Sequence, residues 1–177
     1  MQPYRAVCFD FDYTLADATD SIVAGFKHGF TKMGWPAPDR ETVRGTIGYL
    51  LEDAYPMLPG DSDPARRAQF RPLFLEVAKE RQRRETVLFP GAEELLRALH
   101  GHGVKTAIVS TKRVDTIQYI MERYHLLDQL EFVIGSEDVH APKPDPQGLN
   151  MALERMGLKP EELLFCGDTV LDAGAAK

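Results

Sequence analysis

The amino-acid sequence predicts an α/β protein in which a doubly wound parallel sheet carries an inserted block of α-helices. Three observations lead there. From residue 88 onward, helical and strand patterns alternate: helix EELLRALHGHG, strand VKTAIVS, helix VDTIQYIMERYHL, strand EFVIGS, helix PQGLNMALERMG and strand ELLFCGD. Such alternation builds right-handed βαβ units on a parallel sheet. Near the N-terminus, RAVCF (residues 5 to 9) is short, apolar and bounded by charge, which suits a strand buried on both faces. Between these regions lie about 70 residues with helical patterns alone, and connections of that length usually form lids or inserted domains. The expected division is a core of residues 1–16 and 88–177 with a helical insertion over residues 17–87.

Within the insertion, SIVAGFKHGFTKMG places apolar residues at helical spacing and ends at a stop formed by Gly34 and Pro36. Two shorter helical segments follow, ETVRGTIG and YLLEDAYPML, and then a turn, LPGDSDP. Ala65 to Glu85 reads as a long amphipathic helix that Pro72 is expected to kink or divide.

Composition narrows the functional classes. With 177 residues, 44% apolar and 27% charged, the chain has room for one good core and a small appendage. A net charge of −6 leaves no surplus of basic groups to neutralise a phosphodiester backbone, so nucleic acid is not an expected partner. No stretch approaches the roughly eighteen apolar residues of a membrane span, and MQPYRAVCFDFDYTL lacks the pattern of a secretory leader. The expected location is the cytoplasm, with no membrane partner. Cys8 and Cys166 each sit in an apolar run two positions before an aspartate and read as small buried hydrophobes.

The carboxyl ends of the strands hold the chemistry. In an open parallel sheet, ligands bind outside those ends. Asp10 and Asp12 close the first strand, Ser110 the second, Lys143 lies in the loop APKPDP after the third, and Asp168 follows the fourth. Residues i and i+2 of an extended chain face the same side, so Asp10 and Asp12 would repel unless a cation or a proton intervened. Magnesium usually takes one or two carboxylates plus substrate phosphate, a role that fits Asp10 and Asp168. A phosphoryl group against Asp10 would receive a hydrogen bond from Ser110 and positive charge from Lys143. A carboxylate nucleophile splits one hard displacement into two easier ones, with Asp12 as acid and then base. Taken singly, each residue has an ordinary reading: a turn for DFD, helix caps for Ser110, Thr111 and GDT, and a solvated charge for Lys143. Four strand ends supplying complementary groups to one place outweigh those readings.

Together, DFDYTL (10 to 15), AIVS ending at Ser110, Lys143 before Pro144, and GDTVLD (167 to 172) resemble the four signatures of the haloacid dehalogenase-like superfamily, over essentially the whole chain. The helical insertion resembles the type 1 cap of its phosphoglycolate phosphatase-like branch. This resemblance implies a magnesium-dependent phosphatase working through an aspartyl-phosphate on Asp10. Asp10 would be nucleophile and metal ligand, and Asp12 the acid/base and a metal ligand through its backbone carbonyl. Asp168 would be a metal ligand, and Asp172 would support the metal or Lys143. Thr14, Ser110, Thr111 and Lys143 would bind substrate. The implied partner is a small phosphorylated metabolite, 2-phosphoglycolate first, with pyrophosphate, a nucleoside monophosphate or a sugar phosphate as rivals. A phosphomutase or pyrophosphatase of the same superfamily and a phosphoaspartate signalling receiver are the alternatives. In the insertion, Arg44 and the loop VRGTIG (43 to 48) are either substrate contacts or an ordinary surface pair.

Three departures from the family pattern stand out. Tyr13 occupies a position where the family usually has glycine. Ile22 stands where a phosphomutase of this branch has a cap histidine. A family member would also continue past GDTVLDAGAAK through a further helix and a fifth strand. The chain therefore reads as cut short within its core, with the apolar strand LLFC (163 to 166) expected at an exposed sheet edge.

Overall fold

The run Ala-Val-Cys-Phe forms β1 (Ala6–Phe9), whose four side chains are all buried. The computed structural model describes residues 4–58 and 63–177. In it, β1 lies between β4 (Lys105–Val109) and β6 (Leu163–Cys166), with β5 (Phe132–Ile134) beyond β4, in the order β5-β4-β1-β6. Every pairing is parallel: Ala6 lies opposite Lys105 and Leu163, and Phe9 opposite Ile108 and Cys166. All four carboxyl ends therefore share one edge. β6 is the outer strand beside β1, and its Leu164 is 37% exposed.

Alternate residues of β1 serve opposite faces, as the two-residue period of a strand requires. Val7 and Phe9 pack in a cluster with Leu96 of α5 (Ala92–Gly101) and Ile117, Ile120 and Met121 of α6 (Val114–Arg123). Ala6 and Cys8 face Leu149, Ala152 and Met156 of α7 (Gln147–Met156) and Ala175 of α8 (Val170–Ala175). Helices cover both faces, so the doubly wound architecture expected from the alternating pattern is present. Burial pushes the Cys8 thiol up to about 12, with Cys166 adding to the rise, and both cysteines are free.

The chain forms two compact units, Met1–Asp17 with Leu88–Lys177, and Ala18–Val87. Two further strands, β2 (Ala16–Asp17) and β3 (Val87–Leu88), pair with each other. At two residues each they are too short to show an alternation, and the sequence gives no sign of them.

The second unit contains α1 (Thr19–Lys32), α2 (Arg40–Arg44), α3 (Leu51–Met57) and α4 (Pro64–Glu85). Asp39 caps α2 by accepting from the Thr42 N–H at 2.9 Å, and Asp63 caps α4 by accepting from the Ala65 N–H at 2.9 Å. Of the turn LPGDSDP, residues 59–62 lie outside the described residues. Pro72 does not divide α4, contrary to the division allowed for above, and the helix is assigned continuously from Pro64 to Glu85. Both Pro72 and Ala68, whose carbonyl loses its helical donor, are exposed, so water can satisfy the orphaned oxygen. Phe70, Phe74 and Ala78 on either side are buried against α1.

That packing depends on glycine. A Cβ at Gly25 would lie 2.7 Å from Ala78 Cβ and from the Phe74 ring, and one at Gly29 would lie 2.5 Å from the Phe70 ring. Phe26, Phe30 and Tyr55 surround Phe70, with ring centroids 5.2, 5.5 and 4.8 Å away, so it has little room to yield. Gly29→Ala is expected to lower unfolding free energy by about 1–3 kcal/mol in a denaturant titration. Gly101→Ala, where a Cβ meets nothing within 4 Å, is the control, and equal midpoints for the two variants would contradict this packing. Among the described residues, no helix is long and apolar enough to cross a membrane.

Candidate active site

Asp10 is the first residue after β1, and its N–H extends the ladder to β6 by donating to the Cys166 carbonyl at 2.8 Å. Its side chain is almost fully buried, 1% exposed for the residue. Lys143 Nζ donates to Asp10 Oδ1 at 2.8 Å and also to Asp172 Oδ1. The same ammonium lies 5.6 Å from the centre of the Phe165 ring. Lys143 is thus a buried charge shared by two carboxylates, not the solvated residue that a proline-rich loop would suggest.

Asp172 is fixed from its other side. Its Oδ2 accepts from the Thr169 N–H at 2.9 Å and from the Thr169 hydroxyl at 2.6 Å. The Asp172 N–H returns a bond to Thr169 Oγ1 at 3.2 Å. This reciprocal cap starts α8, so GDTVLD is both a helix start and a clamp on Lys143. Gly167 makes the clamp possible, because a Cβ there would lie 2.3 Å from Asp172 Cγ. Gly167→Ala is expected to displace Asp172 and reduce turnover by about tenfold or more, since sub-ångström misplacement of an electrostatic donor is costly. Steady-state kinetics showing unchanged turnover would contradict that dependence.

Asp168 follows β6, is exposed, and accepts from the Thr14 hydroxyl at 3.3 Å. Oxygens of Asp10, Asp168 and Asp172 all lie within 4.8 Å of one another. The electrostatics reflect this crowding. Burial raises the Asp10 carboxyl to about 6, since Lys143 offsets only part of the desolvation and Asp172 and Asp12 add repulsion. Burial also raises Asp168. Asp172 is pushed up by burial as well, yet its bonds to Lys143 and Thr169 prevail and hold it below the usual carboxylate range.

The Asp12 carboxylate does not join that group. Lys112 Nζ holds both of its oxygens, at 3.0 and 2.7 Å. The two repelling carboxylates deduced from DFD thus receive one lysine each. Lys112 escaped the sequence reading because it lies two residues past the strand-ending Ser110, where a lysine is by default a surface charge. Its only signal is that position in a loop at the carboxyl edge.

Ser110 is buried, donates its N–H to the Ile134 carbonyl at 3.0 Å, and accepts the Lys112 N–H on its hydroxyl oxygen at 3.3 Å. With Thr111, Ser136 and Lys143 it lines a cavity at the ends of β4 and β5. Tyr13 adopts φ 62°, the left-handed region that glycine favours, which accounts for the family's usual residue there. Its N–H donates to the Ala16 carbonyl at 2.8 Å and its ring lies 6.3 Å from that of Phe89. Arg44 lies in the other unit, more than half exposed, and pairs with Glu41 at 3.5 Å.

Known proteins are similar to this chain in sequence and in fold. The family model described as haloacid dehalogenase-like hydrolase matches residues 7–177. A phosphoglycolate phosphatase of Salmonella typhimurium is 30% identical over a 210-residue alignment that takes in 100% of this chain and 79% of that protein. A haloacid dehalogenase-like hydrolase from Bacteroides fragilis has a crystal structure that superposes with a TM-score of 0.93 at 35% identity, covering 98% of this chain and 82% of that one. A haloacid dehalogenase-like family hydrolase from Streptococcus pneumoniae superposes with a TM-score of 0.85 at 28% identity, covering 99% and 81% respectively. With these matches across its length, the chain belongs to the haloacid dehalogenase-like hydrolase family, as a phosphatase.

Proposed function

We propose that the chain is a magnesium-dependent phosphatase that hydrolyses a small phosphate monoester through an aspartyl-phosphate on Asp10. The observation that carries this reading is the sorting of carboxylates: Asp10 is buried beside Lys143, Asp168 and Asp172, while Asp12 is held apart by Lys112.

The donor set suits magnesium. All candidate ligands are hard oxygens, and the carboxylates of Asp10, Asp168 and Asp172 lie within 4.8 Å of one another. Asp10 and Asp168 would hold the cation, with the Asp12 backbone carbonyl; Asp172, whose oxygens already serve Lys143 and Thr169, would act mainly by orienting Lys143. When bound, magnesium supplies positive charge that offsets the charge of the phosphoryl oxygens.

The chain's own groups do the rest. An Asp10 oxygen attacks phosphorus, the bond from phosphorus to the ester oxygen breaks, and Asp12 gives its proton to the departing alcohol. A water then attacks phosphorus, yields its proton to Asp12, and the bond from phosphorus to Asp10 breaks to release phosphate. Lys143, Ser110, Thr111 and Thr14 hold the equatorial oxygens.

The substrate favoured is 2-phosphoglycolate, because a matching relative is a phosphoglycolate phosphatase. Residues 17–87 would serve as the cap that selects it, with Arg44 as a candidate anion contact and the cytoplasm as the setting. Ile22 is buried in the apolar core of the helical unit, which counts against the phosphomutase alternative.

Phosphate release from a panel of phosphorylated metabolites, with magnesium and with excess chelator, tests the proposal. Turnover of a small monoester, lost with chelator and blocked by beryllium fluoride plus magnesium, is expected. Full activity in chelator would sink the metal requirement, and release from no ester would sink the phosphatase assignment.

A further inference from the structure

Lys112 has no part in the reading above beyond keeping Asp12 in place, yet its surroundings are built with care. Its side chain is 6% exposed, and lysine is rarely buried to this degree without a partner. Among the described residues its partner is the Asp12 carboxylate, bound through both oxygens. The main chain of Lys112 is tied on two sides: its N–H donates to Ser110 Oγ at 3.3 Å, and its carbonyl accepts from the Ser136 N–H at 3.2 Å. Gly135 admits this approach, since a Cβ there would lie 2.7 Å from the Lys112 carbonyl oxygen.

We propose that Lys112 is a positioning residue for Asp12, holding its carboxylate clear of the Asp10, Asp168 and Asp172 group so that it serves the ester's leaving oxygen and not the cation. The inference rests on the phosphatase reading. A carboxylate turned into the Asp10, Asp168 and Asp172 group would be taken up as a ligand there and would not be placed to exchange a proton with the departing alcohol. The sequence places Asp12 two residues from the nucleophile, on the same side of an extended chain, so something must divert it. Lys112 is the group that does so in the structure. A direct phosphate-binding role would leave its ammonium free for the substrate, whereas here it is engaged with both oxygens of Asp12.

The test separates positioning from substrate binding by varying the leaving group. Wild type, Lys112→Met, Lys112→Arg, Asp12→Asn and the Lys112→Met/Asp12→Asn double variant are assayed on p-nitrophenyl phosphate, whose leaving group departs without a proton, and on an alkyl phosphate, whose leaving group needs one. Lys112→Met is expected to lower kcat on the alkyl ester by about 10²-fold and on the aryl ester by less than about fivefold, with KM little changed. The double variant should be no slower than Asp12→Asn alone, because Lys112 acts through Asp12. Magnesium affinity measured by calorimetry should be the same for Lys112→Met and wild type. Should Lys112→Met fail to fold, Lys112→Arg carries the test, with a smaller loss but the same bias against the alkyl ester. Equal losses on both esters, a change confined to KM, additive losses in the double variant, or a fall in magnesium affinity matching the fall in rate would each overturn the proposal. A wild type inactive on both esters would instead overturn the phosphatase reading on which it rests.

Discussion

Asp10→Asn is expected to lose turnover by about 10⁴-fold or more while making the metal-free protein more stable. The loss follows from chemistry: a neutral amide is a poor nucleophile toward phosphorus, and removing a nucleophile typically costs several orders of magnitude. The gain follows from burial. Asp10 titrates near 6 in the folded chain against an ordinary value of 3.8. Below about pH 4 the carboxyl is protonated folded or unfolded, and the stabilisation from its raised folded value is fully present. As pH rises through about 6 that stabilisation is lost, because the folded state must then ionise a group that burial disfavours. At pH 7 the cost is about 3 kcal/mol, and a neutral asparagine avoids it while Lys143 keeps Asp172 as a partner. Metal-free Asp10→Asn should therefore melt about 4 °C or more above wild type at pH 7.5, with the gap closing as pH falls below 6. Activity above a few per cent of wild type would remove the nucleophile assignment, and a lower melting temperature would contradict the burial account.

Lys143→Ala is expected to be damaging in both respects. Among the described residues its ammonium is the positive group paired with Asp10, and it also neutralises Asp172. Removing one member of a buried charge cluster leaves the others unpaired, at a cost of about 3–5 kcal/mol. The loss should be greatest above pH 6, where Asp10 is ionised, and smaller below it, where protonation relieves the repulsion. Turnover should also fall by about 10²–10³-fold, the usual effect of deleting one electrostatic donor to a transition state. Denaturation at pH 5 and pH 8 checks the first part and steady-state kinetics the second. A change in KM alone would mean that Lys143 binds substrate without favouring the transition state.

Much of this site was legible because strand ends in a parallel sheet are few and chemically distinctive. Asp10, Asp168, Lys143 and Ser110 each follow a strand, and the sheet order β5-β4-β1-β6 brings their loops to one edge. Lys112 was not legible, since its burial and its hold on Asp12 arise from the path of the loop after β4 and its approach to Gly135, which no spacing rule encodes. β2 and β3 were missed because two-residue strands have no period. Gly25 and Gly29 fall inside the helical pattern SIVAGFKHGFTKMG, where spacing alone gives no reason for them; the Phe70 and Phe74 rings seated on them are why side chains are excluded there. Of the two outcomes expected at Pro72, division of the helix does not occur, because the carbonyl that the proline orphans faces water, which the sequence does not say.

The covalent role of Asp10 is the central claim, and trapping the acyl phosphate tests it most directly. Enzyme turning over a small monoester with magnesium is quenched in acid, reduced with borohydride to convert any aspartyl-phosphate to homoserine, and mapped by peptide mass spectrometry. The account predicts homoserine at position 10 alone, dependent on both substrate and magnesium and absent from Asp10→Asn. Conversion at Asp12 in place of Asp10, or conversion at position 10 in the absence of substrate, would contradict it.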